Sequence, residues 1–155
     1  FLTTTGFMQI RGRDLDGKKK NYLVITDKSE SPRHIICIQE IMDYLKKFTN
    51  DVETYRTAMP DIVFSCNDIK HAIEVETGTN FRDKPKIINK VNLLNERFGK
   101  NWFFFVTNRN LEKKYSKFGK TTTKRSIKFK IRQIFKNVKI RPNLPPRNSY
   151  GLWSY

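Results

Sequence analysis

Three carboxylates on one predicted β-hairpin are the residues of this chain best suited to chemistry. The hairpin is predicted over Met59–Gly78, and its strands carry Asp61, Glu74 and Glu76. Side chains alternate between the two faces of a strand, so all three carboxylates fall on one face, opposite the larger apolar side chains. With a loop over Asn67–Lys70, Asp61 lies directly across from Glu76 and one diagonal step from Glu74, at Cβ separations of about 5 and 7 Å.

Carboxylates this close repel one another, so a purely structural hairpin should avoid the arrangement. A divalent cation such as Mg²⁺ or Mn²⁺ removes the repulsion, because hard cations bind carboxylate oxygens. Without a metal, the crowded carboxylates should have raised pKa values. The simpler alternative is that the three acids form the solvated face of a hairpin.

Charge is distributed unevenly along the chain, whose 155 residues have a net charge of +16. Residues 1–108 carry 17 Lys and Arg against 14 Asp and Glu, whereas residues 109–155 carry 14 Lys and Arg and a single acid, Glu112. A basic segment beside an acidic site predicts a polyanionic partner, and nucleic acid is the first candidate.

Aromatic side chains interleave with the basic ones, at Tyr115, Phe118 and Phe129. This mixture suits phosphate contacts combined with base stacking. The alternative is a basic face that only contacts solvent. We expect nucleic acid to contact a group of lysines near the N-terminus and a basic group in the last third of the chain, namely Lys18, Lys19, Lys20, Lys113, Lys114, Lys117, Lys120, Lys124, Arg125, Lys128 and Lys130.

Composition favours one folded domain, since 37% of the residues are hydrophobic and 13% aromatic. Cys37 and Cys66 lie in apolar runs and are predicted to be buried free thiols, and their spacing to the two histidines does not suit a zinc finger. No run has the length of a membrane span and no signal peptide is visible, which favours an intracellular location, in the cytoplasm or at the nucleoid. Because the chain begins with Phe1 rather than Met, we expect it to belong to a larger multidomain protein.

Hydrophobic spacing and turn signals predict a mixture of strands and helices. The predicted elements are a hairpin of Phe7–Arg11 and Tyr22–Thr26, a helix from Ser31-Pro32 to Phe48, a strand over Glu53–Ala58, the acidic hairpin, a helix from Asp83 to a cap at Gly99, a strand over Trp102–Thr107, a helix capped by Thr122 or Thr123 with Ile127, Ile131, Ile134 and Phe135 on its apolar face, and an irregular tail over Arg141–Tyr155.

The order of these elements across residues 31–107, with Pro60-Asp61 on the second core strand and Glu74-Val75-Glu76 on the third, resembles the PD-(D/E)XK nuclease superfamily. The segment IEVETG is similar to archaeal and bacterial nuclease-like domains that often accompany helicases, transposons or conjugation machinery. The resemblance implies an α/β fold with a restriction-endonuclease-like core, a mixed central sheet flanked by helices. An N-terminal β-hairpin over residues 1–30 would precede this core, as extra strands of the sheet or as the wing of a winged helix. A basic helical extension and tail over residues 108–155 would follow it.

The resemblance also implies roles for individual residues. Asp61 and Glu74 match the acids that bind Mg²⁺, and Glu40 matches an additional ligand on the first helix, although it would otherwise be an ordinary surface residue. Glu76 stands where the superfamily usually has Lys. Three explanations stay open: Glu76 acts as base or third ligand, a lysine of the next helix takes over, or catalysis has been lost. The candidate lysines are Lys84, Lys86 and Lys90, of which we include Lys86 in the catalytic set.

The sequence therefore predicts a metal-dependent DNA endonuclease that hydrolyses phosphodiester bonds of duplex or branched DNA. Such enzymes often work as homodimers that cut both strands, and transposition, recombination or DNA transfer would be its context. The alternative is a catalytically inactive nuclease-fold module that binds DNA or RNA. Metal dependence separates the two, because a pure binder does not need Mg²⁺.

Overall fold

A five-stranded mixed sheet with helices on both faces is the centre of the fold, in a computed structural model that describes residues 6–26, 31–55, 60–78 and 81–136. The described elements are β1 (Gly6–Arg13), β2 (Lys19–Thr26), α1 (Pro32–Leu45), β3 (Val52–Thr54), β4 (Ile62–Cys66), β5 (Ile69–Glu76), α2 (Lys84–Phe98), β6 (Trp102–Val106), α3 (Arg109–Tyr115), β7 (Thr121–Thr123) and α4 (Ile127–Phe135). Within these ranges, no helix combines the length and the apolar character needed to cross a membrane.

The strands of the large sheet lie in the order β3-β4-β5-β6-β7. The first three pair antiparallel, and β5, β6 and β7 pair parallel. Parallel neighbours need a crossover, which α2 supplies between β5 and β6 and α3 supplies between β6 and β7. The predicted α/β class is therefore confirmed, as are the mixed sheet flanked by helices and the N-terminal hairpin.

The turn between β4 and β5 contains only Asn67 and Asp68, both with positive φ, at 51° and 62°. Asn and Asp tolerate this left-handed conformation, and a two-residue turn of this kind matches the twist of the strands that it joins. Cys66 therefore pairs with Ile69, and the predicted four-residue loop is wrong. Since the register moves by two residues, the faces are unchanged.

Two apolar layers cover the sheet. On one face, α1 and α4 pack through Ile41, Leu45, Ile127, Ile131 and Phe135 against side chains such as Ile62, Ile73 and Phe103. On the other face, α2 and α3 pack through Ile87, Leu94, Leu111 and Tyr115 against side chains such as Val63, Ala72 and Phe104. Every residue of β6 is buried, which confirms the prediction of a strand covered on both faces. Cys37 and Cys66 are buried free thiols, also as predicted.

Two of the helices begin where the capping residues predict. The Ser31 side chain accepts a hydrogen bond from the His34 amide ahead of Pro32, and Asp83 does the same for the Lys86 amide. Gly99 ends α2 with a φ of 56°, as predicted. α1 ends at Leu45, so it is three residues shorter than the helix predicted to end at Phe48.

The chain after β6 differs most from the prediction. A short helix, α3, was not predicted, and Thr121–Thr123 pair with β6 as β7 instead of capping a helix. α4 begins at Ile127, directly after Ser126. Residues 109–136, predicted to form a basic extension, therefore supply a strand to the sheet and five buried side chains to its two apolar layers. The predicted tail over Arg141–Tyr155 and the second half of the predicted strand over Glu53–Ala58 lie outside the described residues.

The N-terminal hairpin forms its own two-stranded sheet and extends further than predicted. Tyr22 and Val24 of β2 are buried at 2% and 1% exposure, and the hairpin turn inserts Leu15 into the main core. The hairpin is thus attached to the α1 side of the molecule by apolar contacts.

Candidate active site

The three predicted carboxylates meet at the end of β5, in a largely buried position. Asp61 directly precedes β4, and Glu74 and Glu76 are the third-last and last residues of β5. Their exposed fractions are 8%, 6% and 2%. The alternative of a solvated hairpin face is therefore wrong. The observed register continues to Asp61 opposite Glu74, not opposite Glu76 as predicted.

Asp61 is held by the backbone of β5 and by α1. Its Oδ2 atom accepts a hydrogen bond of 2.7 Å from the Val75 amide, and its own amide donates to Glu74 Oε2 at 3.4 Å. The Nε2 atom of His34, in the first turn of α1, lies 3.3 Å from Asp61 Oδ2 and 3.1 Å from the Val75 carbonyl oxygen. His34 was not among the residues that the sequence predicted for the site.

Lys90 of α2 supplies the positive charge between the two glutamates. Its ammonium group contacts the Glu74 carboxylate and lies 3.1 Å from Glu76 Oε1. The Tyr115 hydroxyl of α3 donates a 2.9 Å hydrogen bond to Glu76 Oε2. Both oxygens of Glu76 therefore accept hydrogen bonds from elements on the α2–α3 face of the sheet.

Burial and mutual repulsion alter the acid–base properties of this cluster. Burial, with the charge of Asp61 second, raises the pKa of Glu74 to about 7. Burial alone would lower the pKa of Lys90, but the charges of Glu74 and Glu76 outweigh it, so that this pKa is raised. Burial and then the Glu76 charge raise the pKa of Tyr115, which keeps its hydroxyl a hydrogen-bond donor. Near neutral pH, the protonated and ionised forms of Glu74 are therefore both populated, while Lys90 keeps its charge.

The structure places Lys90, rather than Lys86, against the carboxylates. Lys84 and Lys86 are exposed on α2, whereas Lys90 is half-buried. The signal was present in the sequence, because Lys90 follows Ile87 by three residues and precedes Leu94 by four, and these two side chains form the buried stripe of α2.

Glu40 is buried at 5% exposure, which excludes an ordinary surface role, but it belongs to a different cluster. Tyr22 donates a 3.0 Å hydrogen bond to its carboxylate, and Lys124 contacts both of its oxygens at 2.9 Å. Among the described residues, no hydrogen bond joins Glu40 to the carboxylates of the sheet. Glu40 therefore links the N-terminal hairpin to the segment after β7, and Lys124 is the positive charge that pairs with it.

The donor set of the main cluster can be compared with what a divalent cation requires. Within the described part of the chain, no group of three or more His, Cys, Asp and Glu side chains is arranged to hold a metal ion. Asp61 and Glu74 nevertheless bring two hard carboxylates together, and Mg²⁺ typically binds one or two carboxylates while keeping several waters. Both donors are carboxylates, the ligand type that these hard cations take, so the chemistry of the pair fits Mg²⁺ or Mn²⁺.

Several of the basic residues predicted to contact nucleic acid have intramolecular partners instead. Lys128 pairs with Asp16 at 2.8 Å, Lys20 pairs with Asp43, and Lys120 donates to a backbone carbonyl at 3.1 Å. The ammonium of Lys130 lies 5.8 Å from the centre of the Phe103 ring. The remaining basic residues predicted to contact nucleic acid have exposed side chains, namely Lys18, Lys19, Lys113, Lys114, Lys117 and Arg125.

Comparison with known proteins adds no assignment, since neither a protein-family model nor a curated protein matches the chain. The element order helix, strand, strand, strand, helix, strand, which carries the resemblance to PD-(D/E)XK nucleases, is the order observed from α1 to β6. The membership itself stays a prediction.

Proposed function

We propose that this chain is a metal-dependent DNA endonuclease domain with a PD-(D/E)XK-like core. The observation that carries the proposal is the burial of Asp61, Glu74 and Glu76 together at the end of β5, where the Lys90 ammonium contacts only the two glutamates. Burying carboxylates without full compensation costs several kcal/mol per ion. Such costs and shifted pKa values are concentrated at functional sites.

Asp61 and Glu74 are the residues that would hold Mg²⁺ or Mn²⁺. When bound, such a cation neutralises charge on a phosphate and lowers the pKa of a water molecule. His34 and the Val75 amide both contact the Oδ2 atom of Asp61, which holds this oxygen in place. Its position depends on α1 and β5, both of which belong to the core.

Lys90 takes the part that the resemblance assigns to the lysine of the motif. Its ammonium reaches Glu74 and Glu76 from the helix after β5, so it can donate a hydrogen bond to a phosphate oxygen beside the carboxylates. Glu76, with both oxygens already hydrogen-bonded, positions Lys90 rather than removing a proton from water. The chain would thus provide the catalytic positive charge from α2, with Glu76 replacing the usual Lys on β5.

A second candidate is a nuclease-fold module that binds DNA or RNA without cleaving it. The specific observation in its favour is the contact of Lys90 with both glutamates, which gives the cluster a resident cation. In this case the carboxylates would have only a structural role and no affinity for metal. Metal-dependent cleavage separates the two candidates.

The wider context follows from the first proposal. A homodimer would be suited to cutting both strands of duplex or branched DNA. Transposition, recombination or DNA transfer is the context in which such a domain, inside a larger multidomain protein, would act. The exposed basic side chains of α3 would contribute to DNA binding.

The test is incubation with supercoiled plasmid and with a branched DNA, in Mg²⁺, Mn²⁺ or EDTA. We expect nicking only with metal, and a loss of at least about a hundredfold in Asp61→Asn, Glu74→Gln and Lys90→Met, because each removes charge from the reacting centre. Glu96→Gln is the matched control, since Glu96 is an exposed acid on α2. DNA binding without cleavage in every metal would favour the second candidate.

A further inference from the structure

A groove beside the carboxylate cluster combines aromatic and basic side chains. It lies between the start of α2 and α3. Its lining consists of two phenylalanines and four lysines, namely Phe81, Lys84, Lys113, Lys114, Lys117 and Phe118. No acidic side chain of the described residues lines it, so the groove has a charge of +4 before any partner binds.

The aromatic part of the groove leads directly to the carboxylates. The ring of Phe81 packs against that of Tyr115 with centroids 5.4 Å apart and planes at 61°. The hydroxyl of Tyr115 donates to Glu76 at 2.9 Å. One tyrosine side chain therefore connects the groove to the carboxylates of the candidate active site.

Among the described residues, no carboxylate pairs with a lysine of the groove, in contrast to two other lysines that follow β7. Lys124 and Lys128 each pair with a carboxylate. In the groove, Lys114 lies 5.0 Å from the centre of the Phe81 ring, and no carboxylate of the described residues pairs with Lys113 or Lys117. Lys113 and Lys114 on the last turn of α3 and Lys117 just after it are exposed and repel one another, and a polyanion would relieve that repulsion.

We propose that this groove binds an unpaired nucleotide strand, with a base against Phe81 and Phe118 and the phosphates on the lysines. The inference rests on the proposed endonuclease function and gives its substrate class, which is DNA with a single-stranded segment next to the cleaved bond. Bases inside a duplex have both faces covered by their neighbours, so only an unpaired base can stack on an aromatic side chain. Phosphate contacts from lysines are independent of sequence, which suits a strand held by stacking.

The first test measures binding by fluorescence anisotropy in EDTA, so that cleavage does not interfere. The probes are a labelled oligothymidylate and a labelled blunt duplex of the same length. We expect Phe118→Leu to bind the single strand about tenfold more weakly, because stacking on one aromatic side chain contributes on that order, and to bind the duplex almost unchanged. Phe48→Leu is the matched control, since Phe48 is a partly buried phenylalanine like Phe118 but packs against the apolar layer on the other face of the sheet.

A second comparison tests the lysines of the groove while its two phenylalanines stay unchanged. Lys113→Gln with Lys117→Gln should weaken single-strand binding, and should make its dependence on salt shallower by about 0.7 per lost phosphate contact in a plot of log affinity against log salt. Lys46→Gln, an exposed lysine at the end of α1, is the control with the same chemical change. Thermal unfolding of every variant confirms that it is folded.

The outcomes separate the groove from the nuclease proposal. Equal single-strand affinities for Phe118→Leu and Phe48→Leu, or a wild type that prefers the duplex, would overturn the groove inference even if metal-dependent cleavage is found. A selective loss of single-strand binding in Phe118→Leu supports the groove, and it does so even if no cleavage is seen in any metal. In that last case the proposed endonuclease function fails while the binding site stands.

Discussion

The shifted pKa of Glu74 makes a quantitative prediction about stability. Its pKa is raised from 4.5 to about 7, by burial and then by the charge of Asp61. The folded protein therefore holds this proton more tightly than the unfolded chain, and the stability that it contributes is complete below pH 4.5 and is lost as the pH rises to about 7. At about 1.4 kcal/mol per pKa unit, the loss is about 3 kcal/mol.

The substitution Glu74→Gln removes this titration while keeping the shape and a hydrogen-bond acceptor for Lys90. We expect the free energy of unfolding of Glu74→Gln, relative to wild type, to increase by about 3 kcal/mol between pH 4.5 and pH 8. Urea unfolding at a series of pH values measures it, with Glu96→Gln as the control, because Glu96 is an exposed acid on the same helix as Lys90. A difference between Glu74→Gln and wild type that stays constant over this range would refute the reasoning.

Three further substitutions test the packing around the site. Lys90→Met leaves buried carboxylates without their cation and should destabilise the protein by about 3 kcal/mol at pH 8, and by less at pH 5, in urea unfolding; equal losses at both pH values would contradict this. Tyr115→Phe removes the donor to buried Glu76 and should cost about 2 kcal/mol, whereas a loss below about 0.5 kcal/mol would mean that the hydrogen bond contributes little. Gly119→Ala places a Cβ atom 2.5 Å from Trp102 Cη2 and should lower stability by about 1–3 kcal/mol in thermal unfolding, and an unchanged melting temperature would show that the indole moves freely.

The sequence predicted the parts of the fold that depend on local signals. Helix caps at Ser31 and Asp83 act through side chains next to the amides that they bind, so the start of each helix could be inferred. The buried run of β6 was recognised from five consecutive apolar residues. Alternation along β5 placed Glu74 and Glu76 on one face, and this assignment does not depend on the register.

The features of the fold and the site that the sequence did not predict depend on contacts between distant segments. β7 is three threonines that pair with β6, and because Thr is favoured both in strands and at helix caps, the local sequence does not decide between the two. The register of the acidic hairpin depended on whether the turn has two or four residues, and two positive-φ residues, Asn67 and Asp68, decide it. Lys90 could have been chosen from its spacing, whereas His34 could not, because its contact with Asp61 joins segments 27 residues apart.

The central claim is that the buried carboxylates bind a divalent cation, and titration with Mn²⁺ followed by electron paramagnetic resonance tests it most directly. Free Mn²⁺ gives a six-line signal that disappears on binding. We predict one tightly bound Mn²⁺ per wild-type chain at pH 8, weaker binding at pH 6 because Glu74 must lose its proton, and no such binding in Glu74→Gln. Equal Mn²⁺ binding by wild type and Glu74→Gln, or none in wild type at pH 8, would contradict the account.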